Sequence, residues 1–324
     1  MLYDDEPTRA ALARRAFLRG SVGAVVAAGL SACVGVSRGS PRAPGALTTR
    51  PIPSSGEALP IVGLGTNAYS VTDAAELAKR EAVIARLVAL DASVIDTARA
   101  YGDSERVVAG IVQRLNVRDR VFLATKTPVQ GDVADAAQVV AETFRRNGTD
   151  VIDLLQIHNM HGTAELMPTL LRLKAERRVR YVGVTSSRDD QYPQVLAAMR
   201  EYPLDFVQVD YSIANRNVAA EILPLAGARQ IGVLANLPYG GRRDGNLLRK
   251  LADRPLPPWA GEIGAASWAE VLLKYVLSNP AVTCAIPGTT SVANLETNVR
   301  AASGPLPDAA LRRRMEEDWD RLQL

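Results

Sequence analysis

Cysteine is almost missing from this chain of 324 residues, which has two, Cys33 and Cys284. Two thiols allow at most one bridge, so no disulfide framework holds the fold. Histidine is as scarce, with His158 and His161 the pair present. They stand close enough to invite a metal, but no third ligand is evident beside them, and no metal site is expected. Long apolar runs are lacking too. The stretch 20–30 is apolar and small-sided, too short to span a bilayer as a stable helix. Nor does one charge dominate: 38 basic residues face 35 acidic ones, a formal net charge of +3. With no dense basic patch interleaved with aromatics, nucleic acid is not expected as a partner. Arg312, Arg313 and Arg314 are followed at once by Glu316, Glu317 and Asp318, which reads as a solvated helix face.

What is present begins with an address. Arg14 and Arg15, then Phe17 and Leu18, resemble a twin-arginine export signal, and the apolar stretch 20–30 fits the h-region that follows one. Leu30 to Cys33 resembles a lipobox, whose cysteine receives a lipid. The competing reading is an amphiphilic N-terminal helix of a cytoplasmic protein, but paired arginines, h-region and lipobox occur in the required order. Residues 1–33 are therefore expected to be a signal peptide with lipobox, read by the twin-arginine export machinery. The protein would be exported and periplasmic, touching a membrane through a lipid at Cys33 alone. Residues 34–57 are rich in Ser, Gly, Pro and Arg and read as a flexible tether, because they offer too little apolar surface to fold alone. The folded domain is expected over 58–324. Within it Cys284 lies in an apolar run and reads as a small buried hydrophobe.

From residue 59 onward, short apolar runs alternate with amphipathic segments. The strand candidates are 61–64, 94–96, 121–125, 154–157, 181–184, 206–209, 232–235 and 283–286. Helical periodicity marks 74–90, 105–115, 134–146, 166–175, 193–200, 219–228 and 267–277. Parallel neighbours need a crossover element, so eight such pairs predict an α/β fold of the (β/α)8 barrel type. A doubly wound sheet is the alternative. It would carry a glycine-rich turn after its first strand, and residues 63–66 form nothing more than a tight turn. The long insert 238–263 after the seventh strand, with Gly240, Gly241 and four prolines, reads as a lid. A C-terminal helix is expected over 308–322.

Three strand candidates end in chemistry-bearing residues: Asp96, Lys126 and His158. Tyr101 follows the first of them by five positions. A strand buried on both faces has no place for a charge in its middle, but its end has one. The four groups therefore point to one site at one end of a parallel sheet. Each also has another reading: a loop aromatic for Tyr101, an ion pair capping the barrel for Asp96 and Lys126, and a metal pair with His161 for His158.

Asp96, Tyr101, Lys126 and His158 together resemble the catalytic set of the aldo-keto reductase superfamily, and the resemblance runs from about residue 59 to near the C-terminus. With the leader, it is close to an exported, twin-arginine branch of that family. The resemblance implies an oxidoreductase moving a hydride between NAD(P)H and a small-molecule aldehyde or ketone, acting as a monomer. Tyr101 would be the general acid/base, Lys126 would favour its phenolate, Asp96 would anchor Lys126, and His158 would orient the carbonyl. For the cofactor the resemblance implies contacts from Thr66, from Thr185 and Ser186 at the end of the fifth strand, and from Gln208 in the sixth. Asn236 and Leu237 follow the seventh strand, where the family places a stacking aromatic; Tyr239 is the aromatic at hand for that part. Gly288 and Thr289 follow the eighth, and Asn294 and Asn298 complete the set. NADP is the expected cofactor, with NAD the alternative. Because Gly288 and Asn294 occupy the positions of expected basic residues, the preference for NADPH is expected to be weak. The rival reading of the whole is a non-catalytic nicotinamide-binding or ligand-binding barrel lipoprotein.

Overall fold

The computed structural model describes residues 47–241 and 246–322. Arg14, Arg15, Cys33 and the first part of the expected tether lie outside the described residues. The chain opens with an antiparallel hairpin, β1 (Thr49–Pro51) and β2 (Ala58–Pro60). Eight parallel strands follow, each hydrogen-bonded to the next in chain order: β3 (Leu64–Gly65), β4 (Val94–Asp96), β5 (Phe122–Lys126), β6 (Ile152–His158), β7 (Val179–Ser186), β8 (Phe206–Asp210), β9 (Gly232–Asn236) and β10 (Cys284–Ala285). Parallel bridges from Val62 to Ala285 and from Gly65 to Gly288 join the last strand to the first. The sheet is thus the (β/α)8 barrel that the alternation predicted.

Helices lie on the outside: α1 (Ala74–Ala89), α2 (Ser104–Leu115), α3 (Ala136–Asn147), α4 (Thr163–Ala175), α5 (Tyr192–Glu201), α6 (Ile222–Ala228), the short α7 (Leu247–Lys250), α8 (Trp268–Leu277), α9 (Val292–Ala301) and α10 (Ala309–Arg321). Their starts follow local chemistry. Asp73, Asp135, Ser267, Ser291 and Asp308 each accept a hydrogen bond from a backbone N–H of the first turn, satisfying donors that would otherwise be orphaned.

Alternation along the strands separates two cores. Ile95, Leu123, Leu155, Val182, Val207 and Val233 face outward into the helix-packed core. Residues of the other parity point into the barrel. Its lower half is filled by Val94, Phe122, Leu154, Tyr181, Phe206, Leu234 and Cys284. The rings of Phe122, Tyr181 and Phe206 meet at centroid distances of 5.7–6.1 Å. Gly232 makes room for this packing, since a Cβ there would stand 2.8 Å from the Phe206 ring.

The hairpin corrects the expected domain boundary. Residues 47–57, assigned to the tether by composition, belong to the folded body. Ile52 is fully buried and joins the barrel-interior cluster with Leu59, and burying such side chains contributes about 1.5–3 kcal/mol each. Arg50 donates to the carbonyls of Leu277 (2.5 Å) and Asn279 (3.0 Å) and to that of Val282, tying the hairpin to the end of α8. The insert 238–263 also differs from the expected lid. Trp259 is buried and donates to Asp318 Oδ2 of α10 at 2.7 Å, so the second half of the insert packs against the C-terminal helix.

Candidate active site

The same parity that fills the lower barrel with apolar groups carries polar ones into its upper half. Asp96 stands two residues beyond Val94, Lys126 beyond Ala124, Gln156 beyond Leu154, Gln208 beyond Phe206 and Asn236 beyond Leu234. Asp96, Lys126 and Asn236 close their strands, Gln156 lies two residues before the end of β6 and Gln208 at the middle of β8, so the group lies toward the end at which the βα loops of such barrels build sites.

Lys126 Nζ donates to both oxygens of Asp96 at 2.7 Å and to the Thr97 carbonyl at 2.8 Å. Both residues are almost fully buried. Burial opposes the charge of Lys126, but the Asp96 carboxylate, with smaller help from Tyr101 and Glu105, outweighs it and holds the ammonium's pKa above its ordinary value. The ammonium lies 5.3 Å from the centre of the Tyr101 ring. The His158 ring meets that of Tyr101 edge-on, at 89° and 6.2 Å between centroids. The structure therefore brings together the three strand-end residues and Tyr101.

Tyr101 reaches this place on a loop that is tied down on three sides. Thr66 Oγ1 donates to the Asp96 carbonyl and Ser104 Oγ to the Thr66 carbonyl, both at 2.9 Å. Asp103 N donates to Ser70 Oγ at 2.9 Å, and Gly102 has a φ of +63° with Ser70 Oγ where a Cβ would stand. Third, Arg146 donates to the Gly102 carbonyl and to Glu105 Oε2. Glu105 is fully buried and also accepts from Thr125 at 2.7 Å and Asn147 at 2.9 Å. It thereby joins the Tyr101 loop to the strand that carries Lys126. Sequence reading missed Glu105, Arg146 and Gln156. Period-two counting along β6 could have found Gln156. An acid in the first turn of a helix reads as an exposed dipole partner, so nothing local marked Glu105 as buried.

Of the residues expected around a cofactor, Thr66, Thr185, Gln208, Asn236, Leu237 and Gly288 line one cavity of about 780 Å³ together with Asp96, Tyr101, Lys126 and His158. Ser186 does not. Its parity is opposite to that of Thr185, and its hydroxyl donates to Gln191 Oε1 at 2.6 Å; Ser187 reaches the wall instead. Thr289, Asn294 and Asn298 also lie off the wall. Thr289 Oγ1 accepts from Ser291 N, Asn294 is exposed in the first turn of α9, and Asn298 Oδ1 accepts the hydroxyl of Tyr239. Tyr239 does reach the wall, as do Gly240, Gly241 and Asn246, the part of the insert that borders the cavity. Arg300 is drawn away, bonding Glu270 Oε1 at 3.1 Å and Thr297 Oγ1 at 2.9 Å. His161 Nε2 pairs with the Gly131 carbonyl at 2.9 Å.

The wall suits a nicotinamide group. Asn236 Oδ1 is buried without a hydrogen-bond partner, an acceptor in want of the kind of N–H that a carboxamide carries. An unsatisfied buried acceptor costs about 1–3 kcal/mol, which a ligand donor would offset. The cavity also falls within the range of roughly 300–1,000 Å³ usual for cofactor and ligand sites.

Comparison with known proteins agrees with this geometry. The sequence profile of the Aldo/keto reductase family matches residues 61–316. A methylglyoxal reductase of Escherichia coli is 29% identical over 263 residues, covering 78% of this chain and 89% of that protein. An aldo-keto reductase of Bacillus subtilis is 30% identical over 211 residues, 59% of this chain and 61% of that protein. Among solved structures, an aldo/keto reductase from Klebsiella pneumoniae in complex with NADP and acetate has a TM-score of 0.66 at 25% identity, covering 83% of this chain and 94% of that one. The holo form of an aldo-keto reductase from Bacillus halodurans has a TM-score of 0.67 at 22% identity, over 84% and 96% of the two chains. That likeness bears on the fold.

Proposed function

This chain belongs to the aldo/keto reductase family, and from that premise we propose that it interconverts an aldehyde or ketone and its alcohol with a nicotinamide dinucleotide, Tyr101 being the general acid/base. The observation that carries the reading is the Asp96–Lys126 pair, whose ammonium lies 5.3 Å from the Tyr101 ring, with His158 edge-on beside it. A reduced nicotinamide nucleotide, when bound, supplies a hydride to the carbonyl carbon. The carbonyl oxygen then gains negative charge and takes the phenolic proton of Tyr101. Lys126 stabilises the phenolate left behind, and Asp96 keeps the ammonium charged and in place. His158 orients the carbonyl oxygen from the other side.

Thr185, Gln208 and Asn236 would hold the nicotinamide end, and the N-terminus of α9 at Ser291 would face a phosphate. The NADP-bound relative at 25% identity supports this cofactor class. No basic side chain stands at Gly288 or Asn294, and Arg300 is engaged with Glu270. A helix end alone offers about 0.3–1 kcal/mol to an anion, so NADPH is favoured over NADH by less than about tenfold. Fluorescence titration of purified protein with each reduced nucleotide, at two salt concentrations, checks this; a ratio above about one hundred that collapses with salt would reveal a cationic clamp. Turnover is tested by following nicotinamide absorbance against a panel of aldehydes and ketones. Nucleotide binding with no turnover on any of them would assign the barrel to binding alone.

Export belongs to the same reading. Arg14 and Arg15 with the Leu30 to Cys33 motif support a periplasmic, lipid-attached enzyme delivered by the twin-arginine route. Replacing both arginines by lysine keeps the protein in the cytoplasm, and Cys33→Ala releases it from the membrane fraction. Full-length wild-type protein in the cytosolic fraction would count against this.

A further inference from the structure

The turn that follows His158 is strained and pinned. Asn159 and Met160 both have positive φ, 51° and 59°, and His161 N donates to the His158 carbonyl at 3.1 Å, so residues 158–161 form a turn of type I′. Asparagine accepts the left-handed conformation readily, whereas methionine adopts it only where the surroundings hold it there. Here they do. Met160 packs against the helix-side core, and its carbonyl accepts from Thr163 Oγ1 at 3.0 Å. The Asn159 carbonyl accepts from Gln191 Nε2 at 3.0 Å. Gln191 is held in turn by Ser186, whose hydroxyl donates to Gln191 Oε1 at 2.6 Å and accepts from Arg188 N at 3.0 Å. Ser186, itself off the cavity wall, thus anchors a residue that is on it.

With its backbone carbonyl taken, Asn159 lines the cavity that holds Tyr101 and His158, and among the described residues its carboxamide makes no hydrogen bond. Strain of this kind gathers at functional sites, and a carboxamide there offers a ligand both donor and acceptor. The loops on the Tyr101 side add Asn67, Ser70, Ala100 and Val129 to the wall, all polar or small, and none of the described Phe or Trp residues reaches it. An aromatic or long-chain aldehyde would bury little of its surface against apolar groups here. We infer that Asn159 sets the substrate class: its carboxamide hydrogen-bonds a hydroxyl on the carbon next to the carbonyl, so that short hydroxylated aldehydes and ketones are preferred over apolar ones. The inference rests on the carbonyl chemistry proposed for Tyr101. His158 orients the carbonyl oxygen, and the residue after it meets the next oxygen along the substrate.

The test compares hydroxyacetone with butanone, which carry a hydroxyl and a methyl at the same place. Their different intrinsic reactivity cancels when wild type and variant are measured on the same pair, so the ratio of the two kcat/KM values reads the contact. Wild type favours hydroxyacetone. Asn159→Gly in the full chain keeps the left-handed turn and removes the carboxamide. The ratio then falls by about five- to tenfold, the worth of one neutral hydrogen bond. Ser186→Ala changes nothing on the wall but loosens the turn, and lowers the ratio by about two- to threefold. Nucleotide Kd from fluorescence stays within about twofold of wild type in both variants. A merely structural Asn159 would slow both ketones alike, and an unmoved ratio would overturn the inference, as would a wild type that favours butanone. Weaker nucleotide binding by Ser186→Ala with an unmoved ratio would overturn the anchoring and return Ser186 to the cofactor. Were the wild type to bind nucleotide and reduce no carbonyl at all, the catalytic reading would fall and this one with it. Turnover with an unmoved ratio removes the substrate class alone.

Discussion

Tyr101 is placed by its neighbours rather than by a strand, so removing its hydroxyl disturbs little else. Tyr101→Phe keeps the ring that meets Lys126 and His158 and lowers kcat by about 10²–10⁴-fold, with the nucleotide Kd unchanged. Steady-state kinetics beside fluorescence titration separates the two effects; retained turnover would place the acid elsewhere. Lys126→Met is a harsher change. It leaves Asp96 almost fully buried without its cation, which costs about 3–5 kcal/mol. Loss of turnover is then accompanied by a lower urea midpoint. Pairing it with Asp96→Asn restores part of that stability and none of the turnover.

At the scale of elements, the parts around the barrel matter as much as its strands. The hairpin β1–β2 is fastened by Arg50, whose three carbonyl acceptors lie at the end of α8 and beyond it. Hydrogen bonds to charged groups contribute about 1.5–3 kcal/mol each, and some are regained from water. Arg50→Ala is expected to cost about 2–4 kcal/mol in urea unfolding, with kcat of the folded protein unchanged. A loss below about 0.5 kcal/mol would make the hairpin an ornament. Glu105→Gln attacks a different joint. Arg146 loses its buried anion, the grip on the Gly102 carbonyl slackens, and kcat falls while KM holds. The strands and helices were legible because their periodicities are local, and Asp96, Lys126 and His158 because charge in an apolar run has few places to go. The hairpin was not legible. Residues 47–57 show Pro, Ser and Gly, and the surface that accepts Ile52 comes from strands far along the chain. Ser186 was misplaced for a smaller reason: composition names the hydroxyls, and only the register of β7 says which of them faces inward.

The whole molecule carries several acids that burial keeps protonated to higher pH than in the unfolded chain. Burial raises the pKa of the Cys284 thiol and of the Tyr69 and Tyr239 phenols. The folded state holds these protons while the unfolded chain releases them from about pH 8.5 for the thiol and about pH 10 for the phenols. Stability is therefore full below those values and falls as pH rises, by about 1.4 kcal/mol per unit for each group past its unfolded pKa. Urea unfolding at stepped alkaline pH should show the decline beginning near the thiol value, and in Cys284→Ala its onset should move up to the phenols. An unshifted onset would assign the first loss to another group. Barrel closure carries one more consequence. The bridges that seal the sheet join Val62 to Ala285, and Arg50 finds the Asn279 carbonyl 229 positions away. A ribosome must therefore release nearly the entire chain before the first strand acquires its second neighbour. Until then β3 and the latest strand to emerge both present open edges on which other chains can pair. A nascent chain stalled just before β10 would be the species most prone to aggregate, and the one a chaperone has most reason to hold.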